Sequence, residues 1–352
     1  MNLTNEQSTV VYHIVNDIRK QKKIKCTLGG FGGTGKTEIV KYLKGFFPNF
    51  AVCAFTGKAA NVLRRRGIPA TTIHSLIYTP EKHDDGTVNF VLKPTLEYDG
   101  IIVDEASMIS EELYHDLAAL NRPIVWVGDH GQLEPVGTDF NLMKNPMYKL
   151  EKIHRNAGEI AKFAEWLRMG RPAISFPGTN SQVQFATYWD VKPNTYASAD
   201  QVICAYNKTR VRTNETIREH LGYKGILEDG EKVICLQNNN EIGIFNGMQG
   251  YVKSTRQMQN RHLMDFVSDE EEWLDIRYDR QQFGQEKSVI EWVKDMPNPF
   301  DYGYCVTCHK AQGDEWGNVI VIEQRCKNWD HRRWAYTAAS RAKSKLLWIL
   351  ES

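Results

Sequence analysis

One eight-residue run, Gly30-Phe31-Gly32-Gly33-Thr34-Gly35-Lys36-Thr37, limits this chain more than any other feature. It follows an apolar segment, Ile24 to Leu28, that reads as a strand. It precedes Ile39, Val40, Leu43, Phe46 and Phe47, which recur at helical spacing. A glycine-rich turn between a strand and a helix fits the phosphate-cradling loop. Its backbone N–H groups turn inward around an anion, and the helix N-terminus adds partial positive charge. In that pattern Gly30, Gly32, Gly33, Thr34 and Gly35 form the cradle. Lys36 reaches the β- and γ-phosphates, and the Thr37 hydroxyl ligates Mg²⁺.

A loop of this kind needs a parallel sheet behind it, and the chain supplies the pattern. Val10, Val11, Ile14, Val15 and Ile18 open the chain as an amphipathic helix. Strands are expected at Phe50 to Phe55, Ile101 to Val103 and Ile124 to Val127. Helices are expected at Lys58 to Arg66 and around Leu113, Leu117 and Leu120. A second alternating stretch starts at Ile160, Phe163, Ala164 and Leu167, then runs through Val202 to Ala205 and a helix after Asn207. It resumes with Val319 to Ile322, Trp334 to Ser340 and Leu346 to Leu350. Strands alternating with helices indicate an α/β, doubly wound fold. Between about Gly225 and Gly303 the segments turn short and strand-like, as a β insertion would. With 352 residues the chain has room for two or three domains.

Charge alone decides little. Lys and Arg number 44 against 43 Asp and Glu, and a backbone-binding groove needs local rather than total charge. The cluster Arg64-Arg65-Arg66 suits a solvated helix end as well as a phosphate contact. No run of 18 apolar residues exists and the first residues are polar, so a cytoplasmic protein without membrane association is expected. The seven cysteines are scattered and read as free thiols. Cys305-Val306-Thr307-Cys308-His309 fits a haem-attachment pattern, but Thr307-Cys308-His309 also opens a longer motif that runs to Gly313.

Asp104-Glu105 ends the Ile101 to Val103 strand, where a phosphate-loop fold needs a metal-linked carboxylate. Other motifs follow in order: Thr56-Gly57-Lys58-Ala59-Ala60, Thr71-Thr72-Ile73-His74-Ser75-Leu76, and Gly128-Asp129-His130-Gly131-Gln132-Leu133-Glu134-Pro135-Val136. Then come His154-Arg155, Thr307-Cys308-His309-Lys310-Ala311-Gln312-Gly313, and Tyr336-Thr337-Ala338-Ala339-Ser340-Arg341-Ala342-Lys343. In this order they resemble superfamily 1 DNA helicases of the RecD/Dda-like branch, over nearly the whole chain.

The resemblance implies two RecA-like domains, 1–148 and 149–224 with 304–352. A β-hairpin pin is implied at 77–97, and an SH3-like insert at 225–303. It implies ATP and Mg²⁺ as cofactors, with Asp104 and Thr37 on the metal and Glu105 as the base for the attacking water. Gln7 is implied to read adenine, its amide offering both donor and acceptor. Gln132 is implied as a γ-phosphate sensor, and Gln312 and Gly313 as nucleotide contacts. Arg155 and Arg341 are implied as arginine fingers. Thr56, Lys58, His74, Ser75, Thr307 and His309 are implied to touch the nucleic-acid strand. The expected partners are single-stranded DNA, single-to-double-strand junctions, and replication or recombination proteins. Movement is expected 5′-to-3′.

Departures exist: His154 stands where an aromatic is frequent, and Ser340 replaces a frequent threonine. The same motifs also fit a translocase that does not unwind, and sequence does not separate DNA from RNA as the track. In the 77–97 segment, Asp84-Asp85-Gly86 reads as a hairpin turn, with Val88, Phe90 and Leu92 alternating on the return arm. Phe90 is the candidate strand-separating residue.

Overall fold

The computed structural model describes all residues except 1–2, 23, 83–87, 134–139, 153–157, 180, 240–241, 269–270, 288–295, 328 and 352. The chain divides into two units, Met1–Ala157 and Gly158–Ser352. The first contains α1 (Asn5–Arg19), β1 (Lys25–Gly30), α2 (Lys36–Phe46), β2 (Phe50–Ala54), α3 (Gly57–Arg65), β3 (Thr71–Thr72), α4 (Ile73–Ile77), β4 (Tyr78–Lys82) and β5 (Val88–Leu92). It continues with β6 (Gly100–Asp104), α5 (Glu111–Ala119), β7 (Ile124–Gly128) and β8 (Tyr148–Leu150). Its six-stranded sheet has the order β3-β2-β6-β7-β1-β8, and every pairing in it is parallel.

Strand periodicity explains how this sheet is covered. Val52, Ala54, Ile102, Val125 and Val127 point to one face, where they meet Val10, Ile14, Ile39, Leu43, Ala60 and Leu63 from α1, α2 and α3. Their strand neighbours Ala51, Cys53, Ile101, Val103, Ile124 and Trp126 point to the other face, against Ile73, Leu76, Leu113 and Leu117 from α4 and α5. Parallel strands buried on both faces read as continuous apolar runs, which is why β2, β6 and β7 were legible. α1 starts at a capping box: the Gln7 N–H donates to Thr4 Oγ1 and the Thr4 N–H donates back to Gln7 Oε1.

β4 and β5 form the expected antiparallel hairpin, with Tyr78 opposite Leu92 and Pro80 opposite Phe90. Its turn, Asp84-Asp85-Gly86, lies outside the described residues. Tyr78 and Leu92 pack on the core beneath. Phe90 is 55% exposed.

The second unit contains α6 (Glu159–Arg168), β9 (Val183–Thr187), α7 (Pro193–Ala197), β10 (Gln201–Cys204) and α8 (Asn207–Leu221). Then come β11 (Lys232–Cys235), β12 (Gln249–Met258), β13 (Arg261–Val267), β14 (Glu272–Arg277), β15 (Phe300–Tyr302), β16 (Cys305–Thr307), β17 (Trp316–Ile322), α9 (His331–Ala339) and β18 (Ala342–Leu350). A parallel sheet runs β16-β10-β17-β18-β9. The strand-like stretch between Gly225 and Gly303 is a five-stranded antiparallel sheet, β14-β13-β12-β11-β15. Its own core includes Val233, Val252, Met264, Phe266 and Phe300. Among the described residues no helix is long and apolar enough to cross a membrane.

Candidate nucleotide and strand-contact sites

Open parallel sheets bind ligands beyond the carboxyl ends of their strands. In the first unit three neighbouring strands, β6, β7 and β1, bring their carboxyl ends together there. β1 runs into the glycine loop, β6 ends on Asp104, and β7 ends on Gly128 with Asp129 following.

The loop is tightly built. Gly35 takes φ +86°, and a Cβ there would stand 2.3 Å from Gln7 Nε2. Only glycine meets both conditions without strain. A Cβ on Gly30 would stand 2.6 Å from Thr34 Oγ1. The Thr34 hydroxyl donates to the Phe31 carbonyl at 2.8 Å. Lys36 begins α2 and folds its ammonium back over the loop, donating to the carbonyls of Gly30 (2.8 Å) and Phe31 (3.2 Å). Thr37 sits in the first turn of α2, half-buried.

Asp129 was not singled out from the sequence, and the structure brings it to the centre of this group. Its buried carboxylate lies 3.9 Å from Lys36 Nζ. It accepts from the Gly131 N–H at 2.9 Å and from Gln132 Nε2 at 3.3 Å. A buried carboxylate needs such hydrogen-bond partners to offset its lost hydration. Asp129 therefore fixes Gln132 and faces the loop lysine. The available signal was a carboxylate directly after an apolar strand and three residues before Gln132. The Glu134-Pro135-Val136 end of that motif lies outside the described residues.

Asp104 is buried, and its burial raises the carboxyl pKa. The Glu105 N–H donates to its Oδ1 at 3.0 Å, and Lys36 and Arg66 work in the opposite direction to burial. Glu105 holds φ +54° and ψ +38°, the left-handed region. A non-glycine residue there costs about 1–2 kcal/mol, and strain of this kind gathers at functional positions. Gln7, expected to read adenine, spends part of its amide otherwise. Its Nε2 donates to the Thr34 carbonyl at 2.9 Å and its Oε1 closes the capping box. One N–H and one lone pair remain for a base edge.

The strand-contact candidates of the first unit stand at helix starts. Thr56 caps α3 by accepting from the Ala59 N–H at 3.1 Å, with Lys58 in the first turn. Thr72 caps α4, which presents His74 and Ser75 exposed. Lys93, from the hairpin's return arm, donates to the carbonyls of Ser75 and Leu76, both at 2.9 Å. The hairpin is thus tied to the segment carrying His74 and Ser75. Tyr78 strengthens that tie, with its ring 5.5 Å from His74 and 6.3 Å from Phe90 and its hydroxyl on Asp116. The cluster Arg64-Arg65-Arg66 ends α3 in solvent, and Arg64 satisfies Asn61 and the Ala70 carbonyl.

In the second unit, Thr307 ends β16 and His309 follows half-buried, its imidazole pKa lowered by burial. Lys310 reaches Asn246 at 2.6 Å, joining this motif to the turn before β12. Gln312 and Gly313 close the motif, Gly313 at φ +84°. Cys305 and Cys308 are free and buried, so the haem-like spacing is core packing. Arg341 is 5% exposed. Its guanidinium donates to the Thr337 carbonyl (3.0 Å), the Asp314 carbonyl (3.1 Å) and Ser340 Oγ (2.8 Å). Two of its five donors remain for another group. Arg155 and His154 lie outside the described residues.

Residues 2–187 match the AAA domain family, more than half of the 352-residue chain, and residues 302–349 match the UvrD-like helicase C-terminal domain. The ATP-dependent RecD2 DNA helicase of Deinococcus radiodurans is 28% identical over 364 positions, covering 90% of this chain and 46% of that protein. The ATP-dependent DNA helicase Dda of Enterobacteria phage T4 is 30% identical over 137 positions, covering 36% and 31%. This chain spans less than half the length of each. Bacteroides Pif1 bound to single-stranded DNA superposes with a TM-score of 0.64 at 19% identity, covering 100% of this chain and 95% of that one. Pif1 helicase from Candida albicans gives 0.60 at 19% identity with the same coverage. The chain belongs to the AAA domain family; its sequence relatives include the RecD2 and Dda DNA helicases, and its fold is that of Pif1 helicases.

Proposed function

We propose that the chain is an ATP-driven DNA helicase that moves 5′-to-3′ along a single strand and separates duplex at a junction. The observation that carries this reading is the meeting of Lys36, Asp104-Glu105 and Asp129-Gln132 at the carboxyl ends of adjacent strands. A phosphoryl-transfer site needs this set: a cradle, a cation, a metal-linked carboxylate, a base and a sensor. Tethering of the hairpin to the segment with His74 and Ser75 favours unwinding over translocation alone.

The residues suit the substrate. The loop's turned backbone and Lys36 hold the phosphates and Gln7 reads the base; Gln312 and Gly313 of the second unit are assigned to the nucleotide as well. Mg²⁺ fits the hard oxygen donors Thr37 and Asp104. Thr37 and Asp104 are the residues that would hold the ion, beside phosphate oxygens and water, the usual partners of Mg²⁺. Bound there, Mg²⁺ would supply charge neutralisation for the transferring phosphoryl group. Glu105 takes a proton from the attacking water. Gln132, aimed by Asp129, reports the γ-phosphate, while Arg155 and Arg341 neutralise the transition state. Thr56, Lys58, His74, Ser75, Thr307 and His309 hold the strand. Junction DNA and proteins of replication or recombination are the partners, and the protein works in the cytoplasm.

The test is ATP turnover with and without single-stranded DNA or RNA, run beside strand displacement on substrates with 5′ or 3′ tails. Stimulation by DNA and displacement from a 5′ tail are expected. Turnover indifferent to any polynucleotide refutes the motor. Stimulation without displacement reduces it to a translocase.

A further inference from the structure

The antiparallel insert of the second unit carries a cavity of about 520 Å³ that none of the motifs uses. It lies where the β12–β13 hairpin tip meets the end of β14, and is lined among others by Arg261, His262, Arg277, Tyr278, Asp279 and Arg280. Antiparallel pairing builds it: Leu263 stands opposite Arg277, and the Tyr278 N–H donates to the His262 carbonyl at 3.1 Å. Three arginines and one aspartate therefore stand in its lining. The Asp279 carboxylate already accepts from the Gln281 N–H at 2.9 Å.

Arg261 and Arg280 are exposed, and among the described residues neither has a carboxylate within ion-pair distance. Arg256, the one arginine of the insert outside the cavity, is paired with Asp265 and Asp275, both at 2.6 Å. The floor is aromatic, with the His262 and Tyr278 rings 6.0 Å apart. Burial and the neighbouring Arg280 lower the His262 pKa, so the imidazole adds a neutral surface rather than a fourth cation. Cations at the rim over an aromatic floor suit phosphodiesters joined by flat, partly apolar units.

The position separates this cavity from the strand-contact motif. Asn246, bonded to Lys310, precedes the start of β12, and the cavity lies beyond its end. The ten residues of β12, at about 3.3 Å each, put up to roughly 30 Å of strand between the two. That is about nine steps of B-form duplex.

We propose that this cavity binds the phosphodiester backbone of a second stretch of nucleic acid, beyond the length held by the strand-contact motifs. The inference rests on the nucleic-acid reading above. Its test uses two probes: the shortest oligothymidylate that fully stimulates ATP turnover, and a long forked DNA carrying the same loading tail. Arg261→Ala/Arg280→Ala should bind and respond to the short probe as the parent does. On the fork it should bind about tenfold more weakly, with a salt slope shallower by about two, one for each lost phosphate contact. Arg261→Lys/Arg280→Lys should keep most of the fork affinity and so exclude misfolding as the cause. Fork affinity and salt slope equal to the parent's overturn the inference, as does an equal loss on the short probe. Absence of any DNA stimulation in the parent strikes the underlying reading instead.

Discussion

Glu105 joins a chemical role to a backbone cost, and substitution can separate them. At φ +54° an L-residue pays about 1–2 kcal/mol that glycine does not. Glycine carries an opposing cost of about 0.5–1 kcal/mol in lost chain entropy. Comparing Glu105→Ala with Glu105→Gly removes the same carboxylate twice and leaves only the backbone different. The net expectation is that Gly exceeds Ala by about 0.5–1 kcal/mol, the reverse of their order in a helix interior. For a unit of this size the gap is roughly 1–4 °C in Tm. Both variants, and Glu105→Gln, should lose turnover by about 10²–10⁴ if Glu105 is the base. That loss corresponds to about 3–5 kcal/mol of barrier. Thermal unfolding of the variants beside single-turnover ATP hydrolysis reads both effects. A Gly variant no more stable than Ala refutes the strained backbone. A Gln variant with parental turnover refutes the base.

Arg341→Ala should slow hydrolysis strongly with little change in ATP affinity, since a finger acts on charge that develops in the transition state; a rise in KM at constant kcat contradicts it. The Glu159 carboxylate is partly buried, which alone would raise its pKa. N–H donors from Gln182, Val183 and Thr179 prevail and hold it at about 2, against an ordinary 4.5. A lowered folded pKa contributes stability above the ordinary value and loses it as pH falls from about 4.5 toward 2. Glu159→Gln should therefore be less stable at pH 7 and show a flatter acid-unfolding curve. Parallel curves for variant and parent would rule this out. Replacing 81–91 by a short Gly-Ser linker keeps Lys93 on the Ser75 and Leu76 carbonyls. DNA-stimulated ATP turnover should survive and strand separation should fall; undiminished unwinding removes the pin role.

What the sequence made legible was whatever is local. The glycine loop, the apolar strands around it and the carboxylates at their ends are set by neighbours within a few residues, so spacing was enough. The hairpin arms were legible for the same reason, through Val88, Phe90 and Leu92. Residues whose meaning depends on distant partners were harder to read. Asp129 becomes significant because β7 lies beside β1, which puts its carboxylate 3.9 Å from Lys36, 93 residues earlier. The arginine cavity depends on β13 pairing with β14, since Arg261 and Arg280 share no periodicity that marks a common site. β9 was also missed: it is an edge strand whose pattern is half-buried and weakly alternating.

Gln7 shows a third case, where the signal was present and another reading was taken from it. Thr4 followed three residues later by Gln7 is a capping-box pattern, and the structure contains that box. The same amide also holds the Thr34 carbonyl, so one side chain fixes the start of α1 and braces the phosphate loop. A base-reading role must share the amide with both duties. Gln7→Ala should therefore lower thermal stability as well as raise the KM for ATP. Gln7→Glu should keep the cap and lose the donor to Thr34. If Gln7→Ala changed ATP affinity with no change in Tm, the bracing would be incidental and adenine recognition its whole contribution.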